Sequence, residues 1–161
     1  MMGRVLSWEE AAIEREHLRQ QGRQVVFTNG HFDLLHVGHL DYLEKAREWG
    51  AALFVGVNGD EATTHLKGTG RPLVPALERA RLLAALVPVT AAIIFEQETA
   101  HDLIDVLRPD FYVKGGDYAH KPLPERTLVE SYGGHVILID LVTERSTSAL
   151  IERIRRLPLQ N

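Results

Sequence analysis

Apolar positions fall into short solid blocks separated by amphipathic stretches, and that alternation sets the elements. Gln24 to Thr28, Leu53 to Val57, Ala91 to Phe95, Phe111 to Val113 and His135 to Ile139 are β-branched or aromatic runs of strand length. They are continuously apolar rather than alternating, the mark of strands covered on both faces. Between them lie helix-period segments: 8–21, 38–49, 76–86, 100–107, 124–132 and 146–157. Ser7-Trp8-Glu9-Glu10 is a capping-box start for the first, and Gly22 its stop. Gly50 ends the second, Gly133-Gly134 the fifth, and Ser146 opens the last. Asn29-Gly30 reads as a turn, and Asn58 to Arg71 as a loop rich in breakers. Strand and helix alternate throughout, which predicts a single α/β domain over 1–161: an N-terminal helix within 1–22, then a Rossmann-like core over 24–157. Its five-stranded parallel sheet is doubly wound, with helices on both faces.

Such sheets bind ligands beyond the carboxyl ends of their strands. The loops that follow strands here are 29–38, 58–71, 114–118 and 141–148, and they hold the chemically interesting residues.

Composition narrows the chemistry. Apolar residues are 45% and charged residues 25% of 161, ordinary for a globular chain. The net charge of −4 gives no basic footprint for nucleic acid or anionic lipid, so phosphate handling has to be local. With no cysteine there is no disulfide, thiolate zinc site or Cys nucleophile. The first ten residues lack the apolar core of a signal peptide, and the longest apolar stretch, Leu82 to Phe95, is broken by Pro88. A cytoplasmic protein with no membrane partner is the expectation.

His36-Val37-Gly38-His39 lies where the first strand's loop enters a helix. Free N–H groups at a helix start favour phosphate. Two imidazoles three residues apart share one side of the first turn, and Gly38 admits a ligand to the backbone. By spacing alone, two surface histidines are as good a reading. With His31 and Asp33 nearby, a metal cluster is a further alternative. Lys67 and Arg71, in a loop with Gly68 and Gly70, could close over phosphates or simply be solvated. Lys114-Gly115-Gly116-Asp117 permits close backbone approach to a nucleoside, or is an ordinary turn. Ser146-Thr147-Ser148 caps a helix and could also meet phosphates.

Thr28 to His39, TNGHFDLLHVGH, resembles the signature of the cytidylyltransferase-like nucleotidyltransferases. Four further stretches resemble the bacterial D-glycero-β-D-manno-heptose 1-phosphate adenylyltransferases: KGTGRP from Lys67, Glu78-Arg79, YVKGGDY from Tyr112 and ERSTS from Glu144. In many bacteria that activity is half of a fused kinase–adenylyltransferase, so the chain would be the adenylyltransferase half standing alone. The resemblance implies AMP transfer from ATP, with Mg²⁺ carried on the nucleotide, to a sugar 1-phosphate. It implies His36, His39 and Lys67 as catalytic residues. Nucleotide contacts would come from Thr28, Asn29, Gly30, Phe32, Gly38, Arg79, Gly115, Asp117, Thr147 and Ser148. Asp33 and Arg71 are the candidates for the acceptor. Dimers are frequent in such families, and nothing in the chain forces a homodimer. His31 departs from the subfamily, which usually has Cys before Phe-Asp. A glycerol 3-phosphate cytidylyltransferase and a nucleotide-binding module without turnover are the rival readings.

Overall fold

The computed structural model describes residues 3–140 and 146–158, apart from the side chain of Asp117. The elements in chain order are β1 (Arg4–Val5), α1 (Trp8–Gln20), β2 (Val25–Gly30), α2 (Val37–Arg47), β3 (Ala52–Asn58), α3 (Asp60–Lys67) and α4 (Ala76–Ala84). Then follow β4 (Ala91–Phe95), α5 (His101–Leu107), β5 (Phe111–Gly115), a 3₁₀ turn (Gly116–Ala119), α6 (Arg126–Ser131), β6 (His135–Ile139) and α7 (Thr147–Arg155).

The sheet has six strands in the order β1-β4-β3-β2-β5-β6, every pair parallel. The expected five-strand sheet is therefore short by one. Two residues of β1 line the β4 edge, with Leu6 N donating to Ala92 O at 3.0 Å. A two-residue strand carries no period, which is why sequence pattern passes over it. Every β3 residue is buried, as a central parallel strand requires. At the opposite edge every β6 residue but Ile139 is partly or fully exposed.

Odd and even strand positions feed separate cores. Val25, Phe27, Phe54, Ile93 and Tyr112 pack beneath α1, α5 and α6. Val26, Leu53, Val55, Ala92 and Val113 pack beneath α2 and α4. The α1 start has the expected capping box: Ser7 Oγ accepts from Glu10 N at 3.1 Å, and Ser7 N donates to Glu10 Oε2 at 2.8 Å.

Two boundaries differ in ways that matter for the site. Asn29-Gly30 is not a turn but the end of β2, paired with Gly56 and Val57 of β3. Lys114-Gly115 likewise closes β5, paired with Leu138 and Ile139. In addition, α3 occupies much of what reads as loop. Chain order runs outward from β2 to β3 and β4, then crosses to β5 and β6. The direction thus reverses between β2 and β5, where a doubly wound sheet opens its ligand crevice.

Candidate active site

At this crevice Asn29, Gly30, His31, Lys114 and Tyr118 line two adjoining cavities. One, of about 190 Å³, extends to Gly38, His39, Tyr42 and Gly115. The other, of about 400 Å³, extends to Asn58, Lys67, Glu98, Thr99 and the 122–125 segment. Lys67 also borders a third cavity of about 420 Å³, shared with Arg71, Ser148 and Arg155. A larger hollow of about 460 Å³ lies beside Arg23, Arg47 and Ala51, at the amino ends of the strands. It holds none of the motif residues, and strand amino ends are not where this architecture binds ligands.

The helix start is built as its sequence implies. His36 is extended (φ −142°) and α2 begins at Val37. The His36 and His39 rings stack with centroids 4.0 Å apart, and Phe32 tilts against His39 at 5.4 Å. Phe32 adopts φ 48°, uncommon for a bulky side chain and of the strained kind found at functional loops. His36 N donates to His39 Nδ1 at 3.4 Å. With Nδ1 accepting, a neutral His39 carries its proton on Nε2 and is a donor there. Burial, and then the neighbouring His36, push its pKa down to about 4, so neutral imidazole is its form at pH 7.

His31 is held through Nδ1, 2.9 Å from Thr63 Oγ1. Burial lowers its pKa to about 4, aided by the fields of Lys67, Arg79, Lys114 and Arg71. Of those four cations, Arg71 is ion-paired with Asp33 and Arg79 with Asp60. Among the described residues no group of three or more His, Asp or Glu is placed to hold a metal ion.

Four residues expected at the ligands, Asp33, Arg71, Arg79 and Thr28, have partners within the scaffold. Asp33, 2% exposed, accepts from Leu73 N at 2.8 Å, Val74 N at 2.9 Å and Arg71 Nε at 2.6 Å. It fixes the segment after the Lys67 loop and pairs with Arg71, which still lines the third cavity. Burial raises the carboxyl's pKa, but those hydrogen bonds and Arg71 outweigh it and leave it below the usual value. Arg79 is wholly buried, donating to Val74 O at 2.7 Å, His31 O at 2.5 Å and Asp60 Oδ1 at 2.8 Å. It braces the loop beneath His31. Thr28 is also sealed, its hydroxyl 2.7 Å from Tyr42 Oη.

Lys67 ends α3 and is exposed; Gly68 (φ 95°) and Gly70 (φ 87°) follow in left-handed conformations that suit glycine. Thr147 Oγ1 donates to Leu34 O at 3.1 Å, docking the start of α7 on the loop before His36. Ser148 is exposed towards the Lys67 cavity, while Ser146 caps the helix through Ala149 N. The side chain of Asp117 and residues Glu144 and Arg145 lie outside the described residues. Sequence reasoning overlooked Lys114, Tyr118 and Tyr42. Lys114 stood in a recognised motif, but its place on a strand end was needed to aim it inward.

The sequence profile of the cytidylyltransferase-like family matches residues 27–154. The chain belongs to that family. It is a nucleotidyltransferase. Among curated relatives, the bifunctional protein HldE of Syntrophotalea carbinolica is 54% identical over 136 residues, covering 84% of this chain and 28% of the relative. That of Magnetococcus marinus is 45% identical over 151 residues, covering 94% and 31%. The chain thus spans about a third or less of the length of these relatives. A lipopolysaccharide core biosynthesis protein from Thermoplasma volcanium has a similar structure, with a TM-score of 0.62 and 25% identity over 77% of this chain and all of the other. Pantoate-beta-alanine ligase from Francisella tularensis shares the fold at TM-score 0.61 and 15% identity, over 98% of this chain and 74% of that one. No helix among the described residues is long and apolar enough to cross a membrane.

Proposed function

We propose that this nucleotidyltransferase moves AMP from MgATP to a D-glycero-D-manno-heptose 1-phosphate, releasing pyrophosphate and forming an ADP-heptose. The observation that carries the nucleotidyl-transfer chemistry is the pair of cavities meeting at the β2–β5 switch, one reaching His39 and the other Lys67. The sugar rests on sequence likeness to the HldE proteins and on the Lys114–Tyr118 and Glu144–Ser148 stretches.

The acceptor's phosphate oxygen is ionised near neutral pH, so its attack on the α-phosphorus requires no general base. Catalysis is positioning plus charge stabilisation. His39 donates through Nε2 to a phosphoryl oxygen as charge shifts towards the leaving pyrophosphate, and the stacked His36 acts with it. Lys67 approaches from its glycine-flanked loop, and the α7 start at Thr147 and Ser148 faces the outer phosphates. Mg²⁺ enters with the triphosphate as part of the substrate.

A pyrophosphate-release screen of four NTPs against phosphorylated sugars and alcohols tests the reading. ATP with the heptose 1-phosphate is expected to lead. If CTP with glycerol 3-phosphate turns over faster, the mechanism stands and the heptose assignment is lost.

A further inference from the structure

Lys114 is a charged residue drawn out of water at the crevice. It is 8% exposed at the end of β5, although a lysine could have left its charge in water. Its Nζ donates to Asn29 O and Asn29 Oδ1, each at 3.3 Å, and lies 4.7 Å from the centre of the Tyr118 ring. Asn29 Oδ1 also accepts from Tyr112 Oη at 2.7 Å. Tyr112 and Lys114 are two apart on one strand, so they share a sheet face with Asn29 across the switch point. The cluster aims an ammonium group along the crevice from the face opposite α2, which carries His39.

The two cavities have Lys114 in common. A nucleotide in the smaller and an acceptor in the larger would bring their phosphates together beside it. We infer that Lys114 is a further catalytic residue, whose ammonium contacts a non-bridging oxygen of the phosphoryl group in transfer. The inference rests on the nucleotidyl-transfer reading but not on the identity of the sugar. In the step, an acceptor phosphate oxygen bonds to the α-phosphorus, and the bond from that phosphorus to the bridging oxygen breaks. Pyrophosphate leaves with the electron pair, and Lys114 keeps its proton throughout. A fixed cation here offsets the charge of two phosphates drawn together and meets the transition state without reorganising.

The test uses whichever donor–acceptor pair the wild-type chain turns over best, so a wrong sugar does not disable it. Lys114→Met is expected to lower kcat about 10²-fold or more while ATP affinity at equilibrium shifts only a few-fold. The chain has no cysteine, so Lys114→Cys introduces a unique thiol. Alkylation with 2-bromoethylamine, before refolding if required, then rebuilds an amine of nearly the same length. Recovery of at least tenfold in kcat by the aminoethylated protein, with none after iodoacetamide, is the expected result. Turnover of Lys114→Met within threefold of wild type overturns the inference. So does a loss that follows melting temperature and ATP affinity together and is not recovered by aminoethylation, because Lys114 would then only clamp β2 to β5.

Discussion

Which nitrogen of His39 carries its proton decides how that side chain can act. The backbone N–H of His36 is donated to Nδ1, leaving Nε2–H as the donor of a neutral ring. With its pKa near 4, His39 has no need to become an imidazolium to hold a phosphoryl oxygen. His36→Ala and His39→Ala should each cut kcat by about 10²–10³ with melting temperature nearly unchanged. The pH response follows from the same shift. Since the ring is already neutral at pH 6.5, kcat should not fall between pH 6.5 and 8.5. A tenfold fall per pH unit there would make the charged ring the working form. The motif and its helix start were legible in the sequence because their partners are local. The scaffold partners of Asp33 and Arg79 were not legible for the opposite reason. Asp33 meets Leu73 and Val74, and Arg79 meets His31 O, across gaps of forty residues or more that no local spacing reports.

Helices and strands were easier to read than their ends. β4 and β6 follow directly from apolar runs with turn residues on either side. Asn29-Gly30 looks like a turn, but parallel pairing with Gly56 and Val57 overrides that local preference. α3 was hidden by Thr63, Thr64 and the glycines beyond it, all poor helix formers. What these elements do jointly depends on two buried tethers. Asp33 pins the 71–74 segment to the loop after β2, and Arg79 of α4 ties that loop to the start of α3. The Lys67 loop therefore runs between fixed ends, through the left-handed Gly68 and Gly70. Arg79→Met deprives three acceptors of a donor and should cost about 2–3 kcal/mol by urea unfolding. Asp33→Asn keeps the shape but weakens three hydrogen bonds. It should raise KM for both substrates more than it lowers stability, as the Lys67 loop loses its far anchor. A stable Arg79→Met protein, or an unchanged KM in Asp33→Asn, would show that the loop holds its place without them.

Across the whole molecule, the charge is net negative, but His31 feels mainly cations. The chain carries −4, yet Lys67, Arg71, Arg79 and Lys114 all act on His31. Together with burial, that arrangement has a consequence for acid stability. His31 and His39 both have folded-state pKa values of about 4, against 6.5 for the ordinary group. Between those values the unfolded chain binds protons that the folded chain refuses, and stability rises with pH wherever the unfolded state binds more. Their contribution is complete above pH 6.5 and is lost as pH falls towards 4. Asp33, with its lowered pKa, adds a loss of the same sign further into acid. Both rings retain some solvent contact, which discounts the effect to about 1–2 kcal/mol per ring over that span. Melting temperature should therefore fall steadily from pH 7 to pH 4.5. Carboxylates with lowered pKa values, such as Glu16, add their loss below that interval, between about pH 4.5 and 2. The discriminating measurement is the double variant His31→Asn with His39→Gln, whose melting temperature should decline less steeply over that interval. An equal slope in both proteins would mean that neither ring is held neutral by the fold, and the neutral Nε2–H donor assigned to His39 would go with it.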